Sequence, residues 1–355
     1  MSDNYRAASR GSGGNETGAY HASLPPGYLL ENPAKGTSYR IVRRLGQGGF
    51  GITYEGQCRE NNNRVAIKEF FPCDIAARSE NHSVSVISDI SAFNSMLKSF
   101  YKETNILLTL SRMASVVNIY DCFYANNTAY YVMEYVSGDT LLHFISANGL
   151  LNISAWQNQF RQLMQDIAQL HAQGVIHRDI SPDNIILTPD GHFKLIDFGS
   201  ARSFDGNQNL TVNVKRNFAP IEQYSSTGQG AYTDVYALAA TIYYCLTGKL
   251  VANAVTRISK DTLVSPSSLG AQLLPTQEQA LLKALALKPN DRFQTMPEFE
   301  AAFFGVSASR TSHAEDGVSL AARISASWGR MTDAPLLPIL SGLFFLAAMI
   351  TAITI

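Results

Sequence analysis

Within His177-Arg-Asp-Ile-Ser-Pro-Asp-Asn184, a carboxylate at Asp179 stands five residues ahead of an amide at Asn184, and Asp197-Phe-Gly199 follows. An Asp beside an acceptor hydroxyl can orient it and take its proton. Asn184 and Asp197 offer the oxygen ligands that a hard cation demands, Mg2+ first and Mn2+ as its substitute. Such a set suits phosphoryl transfer from ATP held with divalent ions.

Upstream lies Gly46-Gln47-Gly48-Gly49-Phe50-Gly51, a GxGxxG run. Alone it is ambiguous, because dinucleotide-binding folds use it to join a strand to a helix. Here a second strand-like run follows, so the glycines read as the turn of a hairpin. Their small size lets backbone N–H groups approach phosphate oxygens. Val65-Ala66-Ile-Lys68 comes next and puts a lysine on a strand beneath that loop. Such a lysine needs an acidic partner, and Glu103 is the preferred one. Glu69 points to the opposite face of the strand from Lys68, and Glu80 lies in a polar loop.

These residues must be held by two kinds of element. IVRRLGQGGFGITYEG, RVAIKEFF and TAYYVMEYV read as strands, with SMLKSFYKETNILLTL as a helix among them. After Gly138 the pattern turns helical. AWQNQFRQLMQDIAQLHAQG is amphipathic and closes on Gly174, a plausible C-cap. DVYALAATIYYCLTG is apolar all round and reads as buried. EQALLKALAL and MPEFEAAFF are later helices. The expected architecture is α+β, with a small β-rich lobe at 39–137 and a larger helical lobe at 138–305.

The flanks differ from this body. Residues 1–36 are rich in Gly, Ser and Asn and read as a flexible leader. Residues 306–335 read as a Ser- and Ala-rich linker, in which Leu320, Ile324 and Trp328 fall at helical spacing. LLPILSGLFFLAAMITAITI, 336–355, carries no charge. At ~1.5 Å rise per helical residue it spans ~30 Å, the hydrocarbon thickness of a bilayer. The expectation is a single-pass tail anchor in the cell inner membrane. Arg323 and Arg330 favour a cytoplasmic location for the large domain.

With 46% hydrophobic residues the chain can bury a sizeable core, and its formal charge of -1 gives no positive field for nucleic acid. Cys58, Cys73, Cys122 and Cys245 form no CxxC pair, so they read as reduced thiols rather than a zinc site or a disulfide framework.

GQGGFGITY, VAIKEFFP, HRDISPDN and APIEQY together resemble the bacterial eukaryotic-like (Hanks-type) Ser/Thr protein kinases. The resemblance covers residues 39–305. It implies a two-lobed kinase fold with adenine among Leu45, Thr53, Ala66, Val136 and Ile186. It also implies a hinge in VMEYV that bonds the base through the backbone of Glu134 and Val136, with Met133 as gatekeeper. Leu107, Ile119, His177 and Phe198 match a stack that aligns the lobes. Asp234 matches a buried Asp that props the catalytic loop. Glu222 matches the end of the activation segment and should pair with Arg292. Thr211 falls where many kinases carry an activating phosphate, for which Arg178 is the expected partner.

The chain departs from the family in one place. Ser/Thr kinases usually carry a lysine where this chain has Ser181, bonded to a hydroxyl residue of the activation segment. At that second place stands Lys215. The two residue types look exchanged, so Lys215 is expected to reach in beside Asp179 and replace the missing charge.

The implied function is ATP- and Mg-dependent phosphorylation of protein Ser or Thr hydroxyls, with autophosphorylation at Thr211, in bacterial signalling. The alternative is a weak pseudokinase that acts as a membrane-anchored scaffold. Lys68, Asp179, Asn184 and Asp197 are all present, which speaks against it. A small-molecule phosphotransferase is disfavoured by the PIEQY segment, and Ser181 leaves tyrosine specificity less well excluded.

Overall fold

A computed structural model describes residues 22–110, 112–198, 215–225 and 228–305, with 202–203 described in backbone only. Thr211, the linker 306–335 and the apolar segment 336–355 lie outside the described residues. Among the described residues no helix is long and apolar enough to cross a membrane.

The first lobe is built on β1 (Leu29–Glu31), β2 (Ser38–Gln47), β3 (Gly51–Cys58), β4 (Arg64–Phe70), β7 (Ile119–Ala125) and β8 (Thr128–Glu134). They form one six-stranded sheet in the order β1-β2-β3-β4-β8-β7, with antiparallel neighbours throughout. A separate hairpin, β5 (Ala76–Arg78) with β6 (Val84–Val86), follows β4. Helix α1 (Ile90–Leu108) then crosses the sheet. Asp89 caps it by accepting from the Ala92 N–H at 2.8 Å, and it buries Phe93, Met96, Thr104 and Leu107.

The flexible leader expected through residue 36 is corrected here. Residues 22–36 belong to this lobe: β1 extends the sheet, and Leu24 and Leu30 are buried in its apolar core. The cause is a buried polar hub. Glu69, fully buried, accepts from Arg78 at 2.5 Å and from the hydroxyls of Tyr54 and Tyr130 at 2.6 Å each. Arg78 Nε in turn donates to the Ala22 carbonyl at 2.6 Å, and the Leu24 N–H donates to Tyr54 at 3.1 Å. A buried carboxylate is tolerable only when paired and hydrogen-bonded. The leading segment therefore completes the shell around that charge, which leader composition alone does not reveal.

The second lobe is helical. Strand β9 (Asp139–Thr140) pairs with β11 (Ile185–Leu187), which pairs with β12 (Phe193–Leu195). Helices α2 (Leu141–Asn148), α3 (Ile153–Ala172), α4 (Ala231–Thr247), α5 (Ala254–Ser259), α6 (Pro275–Ala284) and α7 (Met296–Phe304) make up the body, and β10 (Val175–Ile176) pairs with β13 (Arg202–Ser203). Helix α4 is buried on every side from Thr233 to Tyr243 and ends at Gly248 in the left-handed region, φ 67°. It is the central rod of a core formed with α3, α6 and α7. The cysteines are free thiols, and Cys73 alone of them is exposed.

Candidate active site

The glycine run closes the β2–β3 hairpin and starts no helix, which separates it from the dinucleotide-binding use of the same motif. Gly46 and Gln47 end β2, Gly48 donates to the Gly51 carbonyl at 2.9 Å, and Gly51 begins β3. A Cβ on Gly51 would meet the Glu69 carbonyl oxygen at 2.5 Å, so this position tolerates no side chain. The turn is tied down from outside the hairpin: Phe71 and Cys73 donate backbone N–H groups to the carbonyls of Phe50 and Gly49 at 2.9 and 3.2 Å.

Lys68 lies on β4 between Thr53 of β3 and Tyr131 of β8. Its ammonium pairs with Asp197 in this structure, where Glu103 was the expected partner. Helix α1 turns Thr104 and Leu107 into the core and leaves Glu103 half-buried beside them. The carboxylate that meets the largely buried amine comes instead from the chain after β12. Glu69 does face away from Lys68, into its own hub.

Asp234, at the start of α4 and fully buried, builds the catalytic loop. It accepts from the backbone N–H groups of His177 and Arg178 and from His171 Nε2, each at 2.8 Å. Burial opposes its charge, yet these bonds hold its carboxyl below the usual range. Arg178 is thereby held at φ 68°, and Asp197 sits at φ 64°, a conformation that non-glycine residues adopt rarely. Burial keeps His177 below its ordinary range and neutral. Its Nε2–H donates to the Ile196 carbonyl at 3.2 Å and its Nδ1 accepts from the Asp179 N–H at 3.3 Å.

Asn184 gives its amide N–H groups to the Asp179 carbonyl and carboxylate at 2.8 and 2.9 Å. Its side-chain oxygen could serve a hard cation as a ligand. The Ile196 N–H bonds the Asn184 carbonyl at 2.8 Å, which ties the approach to Asp197 to Asn184. This oxygen-donor set fits Mg2+ or Mn2+. Burial pushes the Asp179 carboxyl up to about 6, opposed by the charge of Lys215 and by the Asn184 bond.

The aligning stack is assembled. Leu107 and Phe198 share one apolar cluster with Ile119 packed against it, and the His177 and Phe198 rings lie 4.8 Å apart. Ala66 and Val136 belong to the same cluster, while Leu45 on β2 is exposed and Ile186 on β11 is half-buried. Glu134 ends β8; its carboxylate accepts from Asn118 at 2.6 Å and Lys194 at 3.0 Å. Glu222 and Arg292 form a buried bidentate pair at 2.7 and 3.0 Å.

A protein kinase domain model matches residues 39–291. The chain belongs to that family. This kinase chain is 30% identical to the serine/threonine-protein kinase PknA of Nostoc over 78% of its own length and 48% of the relative's. It is 28% identical to PrkC of Bacillus subtilis over 74% and 39%. It thus spans less than half the length of these curated relatives. A solved structure described as PpkA-294 in its apo form superposes with a TM-score of 0.68 at 30% identity, covering 80% of this kinase and all of that chain.

The kinase's departure at Ser181 has a geometric counterpart. Lys215 donates to the Ser181 hydroxyl at 2.8 Å, pairs with Asp183 at 2.8 Å and stands 3.6 Å from Asp179 Oδ1. Sequence reasoning did not single out Asp183, although it sits between Ser181 and Asn184 in the same loop. It also missed Gln223, whose amide donates to the Arg178 carbonyl at 2.7 Å and joins the PIEQY segment to the catalytic loop. No spacing rule pointed to that contact.

Proposed function

We propose that this kinase transfers the terminal phosphoryl group of ATP to Ser or Thr hydroxyls of proteins. The observation that carries the reading is the convergence of Lys68, Asp179, Asn184 and Asp197 at one cleft. Asp179 orients the acceptor hydroxyl and takes its proton as the oxygen bonds to the γ-phosphorus and the β–γ bridge breaks. Lys68 holds phosphate oxygens under the glycine turn. Asn184 and Asp197 would hold a divalent ion, whose positive charge would offset that of the phosphates. Adenine rests among Leu45, Thr53, Ala66, Val136 and Ile186, against the Glu134–Val136 hinge.

In the same reading Lys215 supplies the cation that family members carry at the Ser181 position. Its ammonium, close to Asp179, favours the ionised base and the developing negative charge. The names of the relatives, serine/threonine kinases of bacteria, support the acceptor class; a role in bacterial signalling is part of the proposal. Autophosphorylation at Thr211, read by Arg178, and anchoring of the kinase to the inner membrane through 336–355 complete the proposal.

The test is mass spectrometry of the purified chain after incubation with ATP and Mg2+, beside an Asp179→Asn control. Phosphate on Ser and Thr residues, Thr211 among them, and none in the control is the expected result. No transfer with either Mg2+ or Mn2+ overturns the reading. Transfer that leaves Thr211 bare removes the regulatory part alone.

A further inference from the structure

Tyr131 is paired with Lys68 in the β4–β8 register, so the two side chains share one face of the sheet. Its ring is packed among Leu107 and Phe198 and lies 5.4 Å from Phe100 of α1. The residue is 1% exposed, and among the described residues its hydroxyl has no hydrogen-bond partner. Tyr54 and Tyr130, equally buried on the other face, both give their hydroxyls to Glu69. A buried hydroxyl with no partner lowers stability, and a phenylalanine would fill the same space without that cost. Lys68 meets Asp197, and Phe198, next in sequence to Asp197, packs in the cluster that holds the Tyr131 ring.

We propose that Tyr131 is a positioning residue for the cation site. When Lys68 leaves Asp197 for phosphate, the Tyr131 hydroxyl donates a hydrogen bond to the Asp197 carboxylate and fixes it as a metal ligand. The inference rests on the phosphoryl-transfer reading above. Burial first, and then the nearby charge of Asp197, keeps the phenol well above its ordinary range, so it remains a protonated donor. Groups that orient a metal ligand in this way affect cation affinity more than nucleotide affinity.

The test compares the full chain with Tyr131→Phe. Unfolding without nucleotide should show a midpoint equal to or above that of the wild type. The Mg2+ concentration giving half-maximal transfer should rise by about 10-fold and kcat should fall by a similar factor. KM for ATP at saturating Mg2+ should move less than about 2-fold. Calorimetry of Mg2+ with a non-hydrolysable nucleotide should show the same weakening without any turnover. Wild-type Mg2+ dependence in the variant overturns the proposal. A variant that unfolds more readily, or fails to fold, assigns the hydroxyl to packing and also overturns it. A wild-type chain that transfers no phosphate defeats the functional reading instead, and the calorimetric comparison still decides the role of Tyr131.

Discussion

The ammonium of Lys215 donates to the hydroxyl of Ser181 at 2.8 Å, joining the segment before Pro220 to the catalytic loop. The cation at this junction comes from the activation segment, whereas the family pattern draws it from the loop itself.

Lys215→Met should lower kcat by about 10- to 100-fold, the upper end matching loss of one preorganised donor and the lower end allowing for an ammonium one-third exposed. Steady-state kinetics at saturating ATP reads this directly. Restoring the family arrangement with Ser181→Lys and Lys215→Thr together should recover most of the loss. A double variant no better than Lys215→Met would show that the two positions are not interchangeable.

Asp179 should titrate near pH 6 in the metal-free chain, followed by carbon-13 NMR of its carboxyl. Burial raises the value and the Lys215 charge opposes the rise, so Lys215→Met should move the midpoint to higher pH. An unchanged midpoint would mean that the charge does not act on this carboxylate.

Arg292→Ala strips a buried carboxylate, Glu222, of its partner. It should cost about 3–5 kcal/mol in denaturant unfolding. Arg161→Ala, which removes a more exposed partner of Glu300, should cost about 1 kcal/mol. Equal losses would refute the distinction between the two pairs.

Asp121 is buried and accepts from Lys35 and Asn32 at 2.8 Å each and from Tyr39 at 3.1 Å. Burial opposes its charge, but these bonds hold its carboxyl below the usual range. A depressed carboxyl stabilises the fold above its unfolded pKa, and the gain is lost as pH falls through the folded one. Asp121→Asn should therefore cost about 2 kcal/mol near pH 7. That difference should shrink below about pH 4, where wild type and variant unfolding curves converge.

The catalytic constellation was legible in the sequence because cation binding and proton transfer restrict residue type, and loop geometry restricts spacing. Asp179, Asn184 and Asp197 could be read without coordinates, and so could the lysine that reaches Ser181. Partner choice was less legible. The sequence offered Lys68 three carboxylates, Glu103 ahead of Glu69 and Glu80, whereas the one it meets here is Asp197, brought in by the path of the chain after β12. The body of the fold followed periodicity, since an all-apolar stretch such as α4 has one place to go. The N-terminal boundary did not, because Leu24 and Leu30 are too few to mark a core segment in a polar leader. Their burial follows from Arg78 and Glu69, far along the chain.

That clasp has a bearing on where the molecule can be cut. The family match begins at residue 39, but the shell around Glu69 includes Ala22, well ahead of it. A polypeptide started at the homology boundary would lack the carbonyl that satisfies Arg78, and it would leave hollows where two leucines belong. The unit that these contacts tie together is larger than the unit that homology recognises.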